Sequence, residues 1–335
     1  MKIILAPMEG LTDVYMRDVL TRIAGQNGFD WCVTEFIRVT NHLLPAHTFY
    51  QYCPELLNHG KTLAGTPVHI QLLGSEPLLL AENAARAAEL GAVAIDLNFG
   101  CPAKTVNSHR GGAILLEEPE TVHAIIAAVR KAVPCDIPVS AKMRLGVNDY
   151  SRLLDNAHAV ESAGANWLTV HARTKADGYR PPAHWHVLAQ IRQHIKIPIF
   201  ANGDICNLDD AAKCKLDSQC DDLMIGRGAV IRPDFIRQLR GENIELTWPE
   251  LLLWQLVFLD GMRNIEANPY HIEGKAVLKW TEQGVVGRYK QWLAMLTQGW
   301  PEAKLLFEQI KKERQCEEIR RIIEEILNTK TVANG

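Results

Sequence analysis

A (β/α)₈ barrel followed by a helical domain is the fold this sequence predicts, on three observations. Eight short apolar runs, each bounded by turn residues, recur through residues 1–243. Each is followed by helical periodicity, and none shows sustained apolar and polar alternation, so they read as parallel strands buried on both faces. After Leu239 such runs stop and only helical patterns remain. Eight βα repeats fit a closed barrel better than a doubly wound sheet, which more often stops at about five to seven strands.

In chain order the strand runs are "KIILAPM" from Lys2, "WCVTEFIR" from Trp31, "PVHIQLLG" from Pro67, "AIDLNFG" from Ala94, "PVSAKMRLG" from Pro138, "WLTVHART" from Trp167, "PIFANGDI" from Pro198 and "DLMIGRGA" from Asp222. The helices between them carry their own punctuation: Pro77 opens one that ends at Gly91, and Pro119 opens another that ends before Pro134. Beyond the Gly241 to Asn243 link, "WPELLLWQLVFLDGMRN", "HIEGKAVLKW", "GRYKQWLAML", "PEAKLLFEQIKKER" and "CEEIRRIIEEILN" read as amphipathic helices. The expected division is a catalytic barrel over 1–243 and a helical domain over 244–335.

Composition narrows the function. The 335 residues are 47% hydrophobic and 22% charged, ordinary for a globular chain, and the net charge is −3. A generally polyanion-binding surface is thereby excluded, and any contact with nucleic acid has to come from a local basic patch. No leader and no run of about 18 apolar residues is present, so a soluble cytoplasmic protein without membrane attachment is expected, with reduced thiols and no stable protein partner. Cys206, Cys214 and Cys220 lie near one another but lack the short C-x-x-C knuckle of a zinc site, and no metal is expected.

Polar residues gather where a barrel builds its active site, at the carboxyl ends of the strands. The first run ends in Pro7, Met8 and Glu9, the second in Glu35 and Arg38, the third in Gln71, the fourth in Asn98 and Cys101. The remaining four end in Lys142 and Arg144, His171 and Arg173, Asn202–Gly203–Asp204, and Gly226–Arg227–Gly228. Glycines at the last two ends free backbone N–H groups for a phosphate, so a phosphorylated cofactor is expected. Lys142 beside the amides of Gln71 and Asn98 suits an electron-accepting ring whose reduced form is anionic, a flavin, although an ion pair with Glu9 or Asp96 and an aldolase-type site both fit the same residues.

Cys101 stands in Asn-Phe-Gly-Cys-Pro, where Gly100 permits unusual backbone angles and Pro102 stiffens the loop. A thiol with an ordinary pKa of about 8.5 is mainly protonated near neutrality and can donate that proton, and positive neighbours such as Lys104 and Arg110 would instead make it a nucleophile.

Taken together, Ala6 to Gly10, Asp96 to Pro102, Lys142–Met143–Arg144, His171 to Thr174 and Asn202–Gly203–Asp204 resemble the tRNA-dihydrouridine synthase family. Thr34 to Arg38, Gly178–Tyr179–Arg180 and Tyr289 to Leu293 resemble its bacterial C-type branch, which acts on uridine 16. The resemblance implies a flavin barrel joined to a C-terminal helical domain, FMN as cofactor, NADPH as electron source, and reduction of the uracil C5–C6 bond in tRNA. It places FMN against Pro7, Met8, Glu9, Gln71, Lys142, His171, Asn202, Gly203, Asp204, Gly226 and Arg227, and it makes Cys101 the general acid. Asn98 and Tyr179 are the candidates for reading the extruded base, and Arg38, Arg288, Lys290 and Lys311 match positions that hold the RNA.

Two segments depart from the family pattern: Ser108–His109–Arg110 replaces small residues before Gly111, and the stretch from Gly274 to Val286 is longer. Two other classes fit part of the pattern. A flavin enzyme acting on a free pyrimidine, as dihydroorotate or dihydropyrimidine dehydrogenases do, explains the barrel but not the basic helical domain. A non-catalytic RNA-binding barrel explains the cations but not the thiol.

Overall fold

A closed ring of parallel strands organises the chain, and its closure follows from the pairing. The computed structural model describes residues 1–108, 110–263 and 280–332. Nine strand segments form one sheet: β1 (Ile3–Leu5), β2 (Trp31–Val33), β3 (Ile37–Arg38), β4 (Val68–Leu73), β5 (Ile95–Phe99), β6 (Val139–Arg144), β7 (Trp167–His171), β8 (Ile199–Asn202) and β9 (Asp222–Ile225). β1 pairs with both β9 and β2, and β2 with β4, which closes an eight-strand barrel.

The second predicted strand is broken into two. Val33 lies opposite His69 and Ile37 opposite Leu72, so four steps along one chain face three along its neighbour. That one-residue excess is a bulge, and it re-aims Glu35 and Phe36 toward the barrel mouth.

Alternation inside the ring sets its contents. Ile4, Ala6, Trp31, Val33, Phe200 and Met224 form an apolar cluster separate from the main core, with Trp167 packed against it. The interior is not apolar throughout, as barrel packing alone predicts. His69 stacks on Trp31 at 5.0 Å, and burial drives its pKa down to about 3, so the imidazole is neutral. Above it the β4 to β6 sector carries Gln71, Asp96, Asn98, Ser140 and Lys142.

Helix boundaries follow local chemistry. Asp13 caps the helix Val14–Ala24 by accepting from the Met16 N–H at 2.9 Å, and Gly25 ends it at φ 75°. Pro77–Glu89 and Pro119–Ala132 each begin on the proline that the sequence marked. No described helix is long and apolar enough to cross a membrane.

After residue 247 the described helices are Trp248–Arg263, Glu282–Leu296, Pro301–Ile310 and Cys316–Val332. The helix expected from His271, the first part of the Gly274 to Val286 segment, and His109 lie outside the described residues. Leu251, Phe258, Trp292, Leu296 and Ile319 belong to the same apolar core as the barrel's outer layer. Trp292 Nε1 donates to the Val230 carbonyl at 3.2 Å and Trp300 Nε1 to Ile231 at 3.0 Å, tying these helices to the short helix Arg227–Ile231.

One buried ion pair braces the barrel beneath its mouth. Arg17 donates from Nε to Glu55 Oε1 at 2.7 Å and from Nη2 to Oε2 at 2.8 Å, and the Thr12 and Tyr52 carbonyls accept from Nη1 and Nη2. Both side chains are wholly buried. Removing one partner leaves an uncompensated charge, so Arg17→Ala is expected to lose about 3–5 kcal/mol in urea unfolding. An unfolding midpoint equal to that of the unmutated chain would show that the pair carries no such load.

Candidate active site

The carboxyl ends of the strands enclose a cavity of about 460 Å³. From the predicted site, Pro7, Met8, Glu9, Gln71, Asn98, Cys101, Lys142, His171, Tyr179, Asn202, Gly203, Asp204, Gly226 and Arg227 all line it. Strand register explains the convergence: Gln71 lies opposite Asp96, Asn98 opposite Lys142, and His171 opposite Asn202.

The floor is cationic. Lys142, Arg144, Arg173 and Arg227 surround His171, whose pKa falls well below its ordinary value through burial and then through those charges. Burial and the Arg144 guanidinium pull the Lys142 ammonium down to about 8, against the opposing effects of Asp96 and Cys101. The hydrogen bonds of Asp96 go to Gln71 and Ser140 instead of forming an ion pair with Lys142.

Asp204 is doubly engaged, by Arg173 and by Arg227 at 2.9 Å, so it orders two of these guanidiniums. Gly203 sits at φ 119°, its carbonyl accepting from Trp185 Nε1 at 2.8 Å. A Cβ there would lie 2.9 Å from His171 Cδ2, and one at Gly226 would lie 3.1 Å from Met8 Sδ. Glycine at these positions keeps the cavity wall open where the last strands end.

Cys101 is held on both sides of its peptide. Its N–H donates to Asn98 Oδ1 at 3.0 Å, while its carbonyl accepts from Asn107 Nδ2 at 2.9 Å and from the Ala113 N–H at 3.0 Å. Burial raises the thiol pKa, and Glu9 adds to that effect, against the Ala103 N–H, Arg144 and Lys142. The sulfur is therefore a proton carrier at neutral pH and not a standing thiolate. Its cationic neighbours are Arg144 and Lys142; the expected neighbour Arg110 pairs with Glu118 at 2.6 Å instead.

Tyr179 stands over the opening, 59% exposed. Arg144 lies 5.2 Å and Arg227 5.8 Å from its ring centre, and His171 is 6.0 Å away, so the phenol is stacked into place by the site's own cations.

The cations expected to face RNA fall in different settings. Arg38 reaches across to the Thr105 carbonyl at 3.4 Å, linking the bulged strand to the loop after Cys101. Arg288 is 5% exposed and pairs with Asp13 at 2.8 Å while donating to the Leu11 carbonyl. Lys290 donates to the Lys311 and Glu313 carbonyls, at 3.0 and 2.6 Å, at the end of the helix Pro301–Ile310. Lys311 itself is exposed and pairs with Glu308.

Several lining residues lie outside the set assigned to cofactor, base or RNA: Phe36, Cys206, Gln291 and Met295, and also Glu35 and Arg144, which the sequence marks as polar strand ends but without a role. Arg144 had a signal, since it lies two residues beyond Lys142 on an inward-facing row. Glu35 depends on the bulge, and burial with Asp13 and Glu9 pushes its carboxyl up to about 7 against Arg17 and the Gly10 N–H. Gln291 and Met295, four apart on the helix Glu282–Leu296, bring the helical part into the cavity wall, and no sequence pattern marks a docking face of that kind. Of the remaining cysteines weighed as ligands, Cys214 and Cys220 are buried.

Comparison with known proteins agrees with this geometry. Morphinone reductase in complex with tetrahydroNAD superposes with a TM-score of 0.51 over 83% of this chain and 95% of that one, at 13% identity, a likeness of fold. A tRNA-dihydrouridine(16) synthase of Pseudomonas syringae pv. tomato is 50% identical over 95% of this chain and 97% of its own length. A protein of the same name from Shewanella oneidensis is 44% identical over 97% and 98%. The dihydrouridine synthase (Dus) family pattern matches residues 4–274, which takes in every strand of the barrel and the loop that carries Cys101. With that span and those identities, the chain belongs to the dihydrouridine synthase family.

Proposed function

We propose that this chain reduces uridine 16 of tRNA to 5,6-dihydrouridine, with FMN in the barrel mouth and NADPH as the source of electrons. The observation that carries the reading is a protonated thiol, Cys101, in the same cavity as Lys142, Gln71 and His171. The donor set fits the cofactor. Cations over the floor suit an anionic ring and a phosphate, and the glycines at positions 203 and 226 leave room where a side chain would fill the wall.

When bound, the flavin supplies the hydride that reduces uracil C6. Pro7, Met8, Glu9, Gln71, Lys142, His171 and Asn202 would hold its ring, and Gly203, Asp204, Gly226 and Arg227 its phosphate arm. Cys101 gives its proton to C5, and solvent returns one to the sulfur, so the C5–C6 double bond gains one hydride and one proton. Asn98 and Tyr179 would read the edge and face of a base turned out of the RNA.

Residues 244–335 would serve as the RNA-recognition part. Arg38, on the bulged strand, and Lys311 are the cations for phosphate, whereas Arg288 and Lys290 set the helices that carry Lys311. The proposed location is the cytoplasm, where the RNA is.

Incubating the protein with NADPH and tRNA from cells lacking dihydrouridine is expected to give reduction at position 16, mapped nucleotide by nucleotide. Cys101→Ala is expected to slow that reduction about 10²–10⁴-fold while NADPH still bleaches the flavin at its usual rate. Retention of the full rate on tRNA would remove Cys101 from the chemistry.

Lys142 gives a second expectation. If FMN binds the ammonium form, the lysine pKa rises on binding from its free value of about 8. Affinity is then level below that pH and falls about tenfold per unit above it, until the bound pKa is reached. Fluorescence titration of the apoprotein should show this decline, and Lys142→Arg should flatten it. A decline that survives in Lys142→Arg would assign it to another group.

A further inference from the structure

We propose that Asp96 is a positioning residue for the Cys101 proton donor, acting through a directional hydrogen-bond chain that runs Asp96, Gln71, Asn98, Cys101. It rests on the reading of Cys101 given above and adds a residue that contacts neither the cavity nor the thiol.

Register builds the chain. β5 lies between β4 and β6 so that Asp96 has Gln71 opposite on one side and Ser140 on the other. Gln71 Nε2 donates to Asp96 Oδ2 at 2.6 Å, and Ser140 Oγ donates to Oδ1 at 2.6 Å. Asn98 Nδ2 donates to Gln71 Oε1 at 2.7 Å. Asn98 Oδ1 then accepts from the N–H groups of Gly100 at 2.9 Å and Cys101 at 3.0 Å.

Each link forces the next. A backbone N–H can only donate, so the Asn98 oxygen must face Cys101 and its nitrogen must face Gln71. Gln71 is left presenting its nitrogen downward, to a position that has to accept. Asp96, Gln71 and Ser140 are each at most 1% exposed, so no solvent replaces a lost partner. A carboxylate at position 96 is the group that accepts from both sides at once. With leucine there, Gln71 Nε2 has nothing to donate to; with asparagine, the amide oxygen still accepts from Gln71 while its nitrogen donates to the Ser140 hydroxyl, and the chain above is kept.

The test reads the thiol directly. Alkylation of Cys101 by iodoacetamide, followed by mass spectrometry of its peptide, is compared with that of the exposed Cys135. Asp96→Leu is expected to raise the Cys101 rate about threefold or more and leave Cys135 unchanged, because Gln71, and through it the Asn98 amide that anchors the loop, loses its hold. Asp96→Asn removes the charge but keeps an acceptor for Gln71, and its Cys101 rate should match that of the unmutated protein. In the holoenzyme, Asp96→Leu should slow flavin reoxidation by tRNA about 10²-fold, the scale of a misplaced reacting group, while flavin reduction by NADPH holds.

An unchanged Cys101 rate in Asp96→Leu overturns the proposal. So does a raised rate in Asp96→Asn, which would assign the effect to the lost charge. Should Asp96→Leu lose its native circular dichroism, Gln71→Leu, which cuts the chain one link higher, must raise the Cys101 rate, and failure there overturns the proposal as well. If the alkylation results come out as expected while tRNA is not reduced even by the unmutated protein, the functional reading falls and the positioning role stands.

Discussion

The way β5 is seated between β4 and β6 is the constraint from which the site descends. In a closed parallel barrel each strand has two partners and one inward face, so a shift of one residue in β5 would exchange Asp96 and Asn98 for Leu97 and Phe99. The cavity floor, the amide pair above it and the anchor of the Cys101 peptide are consequences of that single alignment. Apolar packing on the outer face enforces it, since Ile95, Leu97 and Phe99 belong to the main core.

Charge in the mouth is organised by a second arrangement. Four cations in a small volume are unfavourable unless each has a partner or a release. Arg173 and Arg227 share Asp204, and Arg144 spends its N–H groups on the carbonyls of Gly100, Thr174 and Gly178. Lys142 has no such partner among the described residues, and burial with the Arg144 charge lowers its proton affinity. The residue left electrostatically unsatisfied is thus the one proposed to meet the flavin ring, the arrangement that preorganisation of an anion site requires.

Much of this was legible in the sequence because the signals were local. Buried strands show as apolar runs, and polar residues at their carboxyl ends have no packing reason to be there. What was not legible depends on distance. The bulge at Glu35 exists only relative to β4. Arg288 and Lys290 carry the charge expected of RNA contacts, yet one is buried against Asp13 and the other caps a helix end, and residue type alone does not distinguish these fates. Gln291 and Met295 enter the cavity wall through docking of a helix whose own pattern reports only that one face is apolar.

The indole bonds from Trp292 and Trp300 to Val230 and Ile231 anchor the C-terminal helices to the short helix that begins at Arg227. Together with the shared core and the Arg288–Asp13 pair, they leave no hinge, among the described residues, between the part that would grip a long molecule and the part that would transform one unit of it. On the proposed function the protein would then behave as a gauge of fixed length. A polymer seated on the helices would present to the thiol whichever unit lay at that one separation, so choice of position would be a matter of span, and the bending would fall to the polymer.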